Sequence, residues 1–324
     1  MQKLLFSLSV ITLGLVIGYV SQRLVLVGKI KAEPSLAKPR RTLQSVALLC
    51  LNPIATIGAI WILSFDDGRI TLMPAIGVLA MIVGALAAFV IGKILKLKPR
   101  QQGAFLCCGV MSNVGSIGAL VVFVFLGEAA FALVAMYKLF EQVMSYTIWF
   151  PVAKSYSPHV QQEVTARKVS RLVTDPFILV TVVSILIGLT LNTLGVARPV
   201  FYSNLNAVII PSTSLILLIS IGMAMKFSKM QAFLKPALLI SMIKYLFVPV
   251  VVTGTAFLLG LGKIDNSLPL KVILILSSMP VGFTALVPPS IYDLDVDLAN
   301  AGWMATTALL AVVIPLQMLI IRYM

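Results

Sequence analysis

Residues 107–127 read CCGVMSNVGSIGALVVFVFLG, a run long enough to cross a bilayer whose first half nonetheless carries Asn113, Gly115, Ser116 and Gly118. In hydrocarbon every backbone N–H and C=O must be satisfied within the protein. A loosened Gly-rich turn at mid-depth is therefore tolerated only where it lines a cavity or is covered by neighbours, and the stretch reads as a broken helix at a binding site. A second interrupted run, 276–292 (LSSMPVGFTALVPPSIY), lies late in the chain. There Pro280 removes a backbone donor in mid-run, Gly282 loosens the turn after it, and Pro288 with Pro289 is expected to end the apolar segment. Gly- or Pro-interrupted runs at corresponding places in two halves of a chain point to a transporter's substrate site.

The rest of the chain fits that reading. It is 60% hydrophobic and 11% charged, with a mean hydropathy of +1.05, against about 25% charged residues in soluble domains. At about 20 residues per crossing, polar interruptions divide it into ten spans, roughly 4–25, 43–63, 70–95, 107–127, 129–152, 176–196, 205–225, 237–261, 268–292 and 298–321. The first follows Lys3 and resembles a signal peptide, but no small-x-small site follows Gly18 and Tyr19 before the run resumes, so it is read as a span. The third is rich in Gly and Ala (Gly77, Gly84, Ala85, Ala87, Ala88), which suits close helix packing. Breaks are also expected in the second span at Asn52 and Pro53 and in the seventh at Pro211.

A polar stretch at 153–175 separates two halves, a first five-span repeat at 1–152 and a second at 176–324. Pro53 and Pro211 are 158 positions apart, Gly115 and Pro280 are 165, and the span starts Leu4 and Pro176 are 172, an offset steady enough to read as an internal repeat. Lys and Arg set orientation. One side collects Arg23, Lys29, Lys31, Lys38, Arg40 and Arg41, then Lys93, Lys96, Lys98 and Arg100, then Lys154, Arg167, Lys168 and Arg171, then Lys226, Lys229 and Lys235. The other has Lys3, Arg69, Arg198, Lys263, Lys271 and Arg322. The first side is placed in the cytoplasm, the 153–175 linker with it, and both termini outside a cell (inner or plasma) membrane. Five spans per repeat make the repeats inverted. The net charge of +14 is thereby accounted for without nucleic acid.

At its two interrupted runs the sequence resembles the auxin efflux carrier family of secondary transporters. The family pattern Asn-x-Gly-x-x-Gly-x-Pro stands here as Asn113, Gly115 and Gly118, with Leu120 in the place of the proline. The late pattern, a proline followed by small and polar residues and an acidic and aromatic end, matches Pro280, Thr284 and Tyr292-Asp293-Leu294-Asp295, with Thr284 where an asparagine is common. The resemblance implies an all-α integral membrane fold of ten transmembrane helices, two inverted five-helix repeats in which broken helices four and nine cross at mid-membrane. It also implies a scaffold group and a mobile transport group of helices, and small organic anions as substrates.

The chemistry of the residues agrees. A half-helix starting in mid-membrane presents N–H groups and a positive dipole end, so an anion held there needs no cationic side chain. Asn113 both donates and accepts, which suits it to orient a carboxylate or to bridge the two unwound chains. The plainer reading is that Asn113 and the glycines pack helices and that Pro280 is a kink; the occurrence of both features in two halves weighs against it. With Ser116 and Ser278 as cavity-lining hydroxyls, the substrate-binding set is Asn113, Gly115, Ser116, Gly118, Ser278, Pro280, Gly282 and Thr284.

Intramembrane ionisable residues are functional by default. Lys138 and Glu141 are three apart on the fifth span and suited to pair, as a structural pair or with Glu141 carrying a proton. Lys244 has no partner evident from spacing; an acid on another span, the anionic substrate and a membrane surface remain open to it. Asp293, Asp295 and Asp297 read as a solvated loop or a site for a coupling cation.

No phosphate loop, nucleophile elbow or His/Cys cluster is present, so neither a cofactor nor a metal is expected. The function expected is secondary active transport of a small organic anion by alternating access, with a proton or sodium as coupling ion and homodimerisation consistent with such folds. Alternatives are a sodium-coupled carrier of the bile-acid symporter type, an intramembrane enzyme using Glu141 and Lys138, or a channel.

Overall fold

The computed structural model describes residues 2–28, 36–64, 67–158, 176–225 and 230–324. Lys29, Lys31, Lys226, Lys229, His159, Arg167, Lys168, Arg171 and the linker from 159 to 175 lie outside the described residues. Among the described residues the chain is all helix, apart from one isolated antiparallel bridge between Ser112 and Val281. Six helices among the described residues are long and apolar enough to cross a membrane: Gln2–Leu26, Lys38–Trp61, Gly68–Ile94, Phe201–Gly222, Gln231–Leu258 and Val296–Tyr323. Large apolar side chains such as Leu86, Val250 and Leu258 are exposed along them, as a lipid-facing surface requires.

The chain divides into two compact units, each drawing on both halves of the sequence. The first comprises 1–65, 115–135 and 179–226. Its helices Gln2–Leu26 and Phe201–Gly222 approach through small residues: a Cβ on Gly18 would lie 2.1 Å from Ile219 O, and one on Gly222 would lie 2.3 Å from Leu15 O. The end of Lys38–Trp61 is capped from outside, Asn192 Nδ2 donating to Trp61 O and Leu63 O at 2.8 Å each. Arg198 pairs with Glu128, the two side chains 10% and 14% exposed, and donates to Gly58 O at 2.9 Å. Asn206 Nδ2 donates to the same carboxylate at 2.5 Å.

Two expected breaks are not breaks. The helix Phe201–Gly222 runs through Pro211, and Asn52 and Pro53 open the second α-helical part of Lys38–Trp61, directly after a π-turn at Val46–Leu51 that follows the first. Proline costs a helix one N–H and a clash. Within a bundle, neighbouring helices and a local π adjustment absorb both, and the wider π-turn before Pro53 is such an adjustment.

The second unit comprises 66–114, 136–178 and 227–324. The Gly- and Ala-rich helix Gly68–Ile94 packs tightly, as its composition suggests. A Cβ on Gly84 would lie 2.1 Å from Gly109 O, one on Gly109 would lie 2.6 Å from Gly84 O, and one on Gly77 would lie 1.9 Å from Tyr137 O. Trp303, fully buried, meets Phe283 edge to face at 5.9 Å.

Candidate functional site: the paired breaks

The helix Pro99–Val110 stops where Met111 leaves helical conformation (φ −88°, ψ 124°). Residues 111–113 run antiparallel to 280–282. Asn113 N–H donates to Pro280 O at 2.8 Å and Gly282 N–H donates to Met111 O at 3.0 Å. Proline lacks a donor and pairs through its carbonyl alone. Gly282 lets the two backbones approach, because a Cβ there would lie 2.8 Å from Ser112 O.

The unwinding thus falls at 111–113, ahead of the glycines credited with it. Gly115, Ser116 and Gly118 lie in a π-turn, Val114–Gly118, from which the helix Ala119–Leu126 continues. The boundary between the two units falls between Val114 and Gly115, so Asn113, Ser278, Pro280, Gly282 and Thr284 belong to the second unit and the other three to the first. After the second break the chain turns through Phe283–Leu286 into the short helix Val287–Ile291. Pro288 and Pro289 occupy the first turn of that helix and do not end the segment, since a first turn has no use for their missing N–H groups. Ser278 Oγ donates to Leu274 O at 2.5 Å and accepts from Gln317 Nε2 at 2.6 Å, while Thr284 is exposed.

Lys244 lies against the first break. It is 1% exposed, the sole Asp, Glu, Lys or Arg side chain to be buried among the described residues. Its Nζ donates to Gly109 O at 2.7 Å and to Ser112 Oγ at 2.9 Å. Of the destinations open to it in the sequence it does not take the membrane surface; its hydrogen bonds go to neutral oxygens of the broken span, and the Glu141 carboxylate of another span stands within electrostatic reach. Lys244 sits in a π-turn, Ile243–Phe247, as residues at functional sites often do. The next residue, Tyr245, donates through its hydroxyl to Thr306 O. Thr306 Oγ1 accepts from Val281 N at 3.1 Å, so the same π-turn reaches the second break through one intermediary.

Ser112 also lines a small hollow with Tyr137, Lys138, Glu141 and Val114. Its volume of about 20 Å³ accommodates a single water. Lys138 and Glu141 stand within electrostatic reach of each other without closing into a direct ion pair. The buried Tyr137 hydroxyl has no hydrogen-bond partner among the described residues. A wider hollow of about 980 Å³ opens between Lys98, Arg100, Tyr156 and the Asp293–Asp297 loop. That loop is held structurally: Asp293 pairs with Arg100 at 2.6 Å and Asp295 caps the following helix through Leu298 N at 3.0 Å. Among the described residues no cluster of acidic, His or Cys side chains forms a metal site.

Gly109, Thr306 and Gln317 were not singled out in the sequence. Gln317, an amide within an apolar run, carried a signal of the kind that marks Asn113; Thr306 and Gly109 are ordinary residues of membrane helices and carried none.

Helices of bilayer length, with two others interrupted and paired through their breaks, define a multi-pass membrane protein whose polar centre is built from discontinuous helices. The model of the membrane transport protein family matches residues 66–318. The chain belongs to that family, the auxin efflux carriers, and is a membrane transport protein. No curated protein matches it.

Proposed function

We propose that the chain is a secondary active carrier of a small organic anion, a carboxylate, driven by a proton or ion gradient through alternating access. The observation that carries this reading is the pairing of the two breaks by Asn113 N–H on Pro280 O and Gly282 N–H on Met111 O. It puts the ends of four half-helices at one place, with the buried Asn113 side chain beside them. Helix starts at such a place attract a carboxylate by backbone N–H groups and dipole alone. Ten spans in two inverted repeats supply this geometry naturally, each repeat contributing one interrupted span. The second unit, which holds both breaks, is then the transport group and the first the scaffold. The excess of basic residues at alternate ends of the spans supports a cell-membrane carrier with both termini outside the cytoplasm. Its chemistry is binding and release, with no bond made or broken.

The test is uptake of radiolabelled mono- and dicarboxylates into proteoliposomes under an imposed pH gradient. Saturable uptake of at least one carboxylate, collapsed by dissipating the gradient, is the expected result. Uptake of every carboxylate equal to that of protein-free liposomes rejects the proposal.

A further inference from the structure

The helix Pro99–Val110 ends with carbonyls that the break deprives of their usual partners. In an uninterrupted helix Gly109 O would accept the N–H of Asn113; here that N–H donates to Pro280 O instead. Gly109 O therefore stands at the negative end of a half-helix, inside the protein and short of a donor. Three residues on, the Ser112 hydroxyl adds a second oxygen. In carriers built from discontinuous helices, unwound carbonyls and half-helix C-terminal ends of this kind coordinate a diffusible cation. Here both oxygens are taken by Lys244 Nζ, at 2.7 and 2.9 Å.

The ammonium reaches them from another span, 135 residues away in sequence, with its whole side chain buried. Gly109 must be glycine for the Gly68–Ile94 helix to pack on it, and its carbonyl accepts from Lys244. The adjoining hollow of about 20 Å³ has room for a water and none for a hydrated ion.

We propose that Lys244 is a tethered cation: its ammonium permanently fills the oxygen site at the paired breaks that a free sodium ion would otherwise fill, so that this carrier works without sodium there. The consequence for transport rests on the carrier reading above; the site itself does not. Removing the side chain back to Cβ vacates the site and turns a built-in cation into a requirement for a soluble one.

The experiment is thermal unfolding of the purified full chain in detergent, wild type and Lys244→Ala, in choline, sodium or methylammonium chloride at equal ionic strength. Lys244→Ala is expected to melt lower than wild type in choline and to recover several degrees in sodium or methylammonium, while wild type is indifferent to the cation. Lys244→Met, which refills the space with apolar atoms, is expected to melt at one temperature in all three salts. A Lys244→Ala protein equally unstable in the three salts overturns the proposal, as does a wild type that sodium stabilises over choline. Where Lys244→Ala does not survive purification in choline, the same comparison is read from the yield of monodisperse protein purified throughout in each salt. Recovery in sodium or methylammonium alone supports the tethered cation, and equal failure in all three rejects it. No substrate enters the measurement, so its failure leaves the transport reading standing, and failure of the uptake screen leaves this one standing.

Discussion

Lys244 and Tyr245, neighbours in one π-turn, bind the two interrupted spans separately: Lys244 holds Gly109 O and Ser112 Oγ, and Tyr245 holds Thr306, whose own hydroxyl holds Val281 N. The two attachments differ in what their loss exposes. Without Thr306 Oγ1, the N–H of the fully buried Val281 is left with no acceptor, a loss of about 1–3 kcal/mol. Without the Tyr245 hydroxyl, Thr306 O loses one donor but keeps a lone pair for its helix, a loss of about 1 kcal/mol. Thr306→Val is therefore predicted to lower the melting temperature in detergent more than Tyr245→Phe does. The reverse order would contradict this account of how the second break is held.

Asn113 contributes differently through backbone and side chain. Its N–H pairs with Pro280 O whatever the side chain is, and its side chain is 7% exposed. Asn113→Leu keeps the backbone pair and removes the polar group, so the protein is predicted to elute from size exclusion like wild type while carboxylate uptake falls to the protein-free background. Undiminished uptake by that variant would remove Asn113 from the substrate site.

What could be read in the sequence was whatever a single helix declares about itself. Two apolar runs carrying Asn, Gly and Pro marked the broken spans, and the glycines of the third span marked a packing face. What escaped was set by partners remote in the chain. Met111 and Ser112 unwind because Val281 and Gly282 lie opposite them, and nothing in their residue types says so. The same holds for Lys244, whose partners are 132 and 135 positions away. Pro53 and Pro211 erred in the other direction: a local rule for breaking helices was outweighed by a bundle that accommodates proline.

Gly84 and Gly109 meet backbone to backbone: a Cβ on Gly84 would lie 2.1 Å from Gly109 O, and one on Gly109 2.6 Å from Gly84 O. There is no flexible side chain to move aside, so even a methyl group forces the helices apart. Overpacking of this kind costs about 1–3 kcal/mol or more. Gly84→Val is predicted to cut the yield of monodisperse protein sharply, whereas Gly254→Val, at a position with nothing within 4 Å of a new Cβ, leaves it unchanged. Equal yields of the two variants would show that the contact is dispensable.

Asp67 gives the fold a pH dependence on its exposed side. The Arg69 guanidinium bonds both carboxylate oxygens and the Arg69 N–H donates to one of them, which holds the Asp67 carboxyl down to about 2. Arg69 also donates to Gly260 O at 2.9 Å, tying the start of Gly68–Ile94 to the loop after Gln231–Leu258. A carboxyl whose folded pKa is depressed contributes stability above its unfolded value of about 3.9 and loses it as pH falls through the folded value. Asp67→Asn is therefore predicted to melt below wild type at neutral pH, with the gap closing as pH drops from about 4 towards about 2. A gap that stays constant over that range would assign the effect to hydrogen bonding alone.

Arg198 and Glu128 form a largely enclosed ion pair in the first unit, and their neighbours make the cost of breaking it asymmetric. Glu128 accepts from both Arg198 and Asn206, so loss of the arginine leaves a carboxylate that is 14% exposed with one amide for compensation. Arg198 donates also to Gly58 O and Ser203 Oγ, so loss of the acid leaves the guanidinium two acceptors. Removing one partner of a fully buried pair costs about 3–5 kcal/mol, most of it the desolvation of the charge left behind, and this pair, which keeps some solvent contact, costs less. Arg198→Met is predicted to destabilise the protein more than Glu128→Gln. The double variant, which strands no charge, is predicted to melt above Arg198→Met despite carrying one more substitution. Additive losses in this cycle, measured by thermal unfolding in one detergent, would mean that the two side chains act independently and that the first unit does not depend on their pairing.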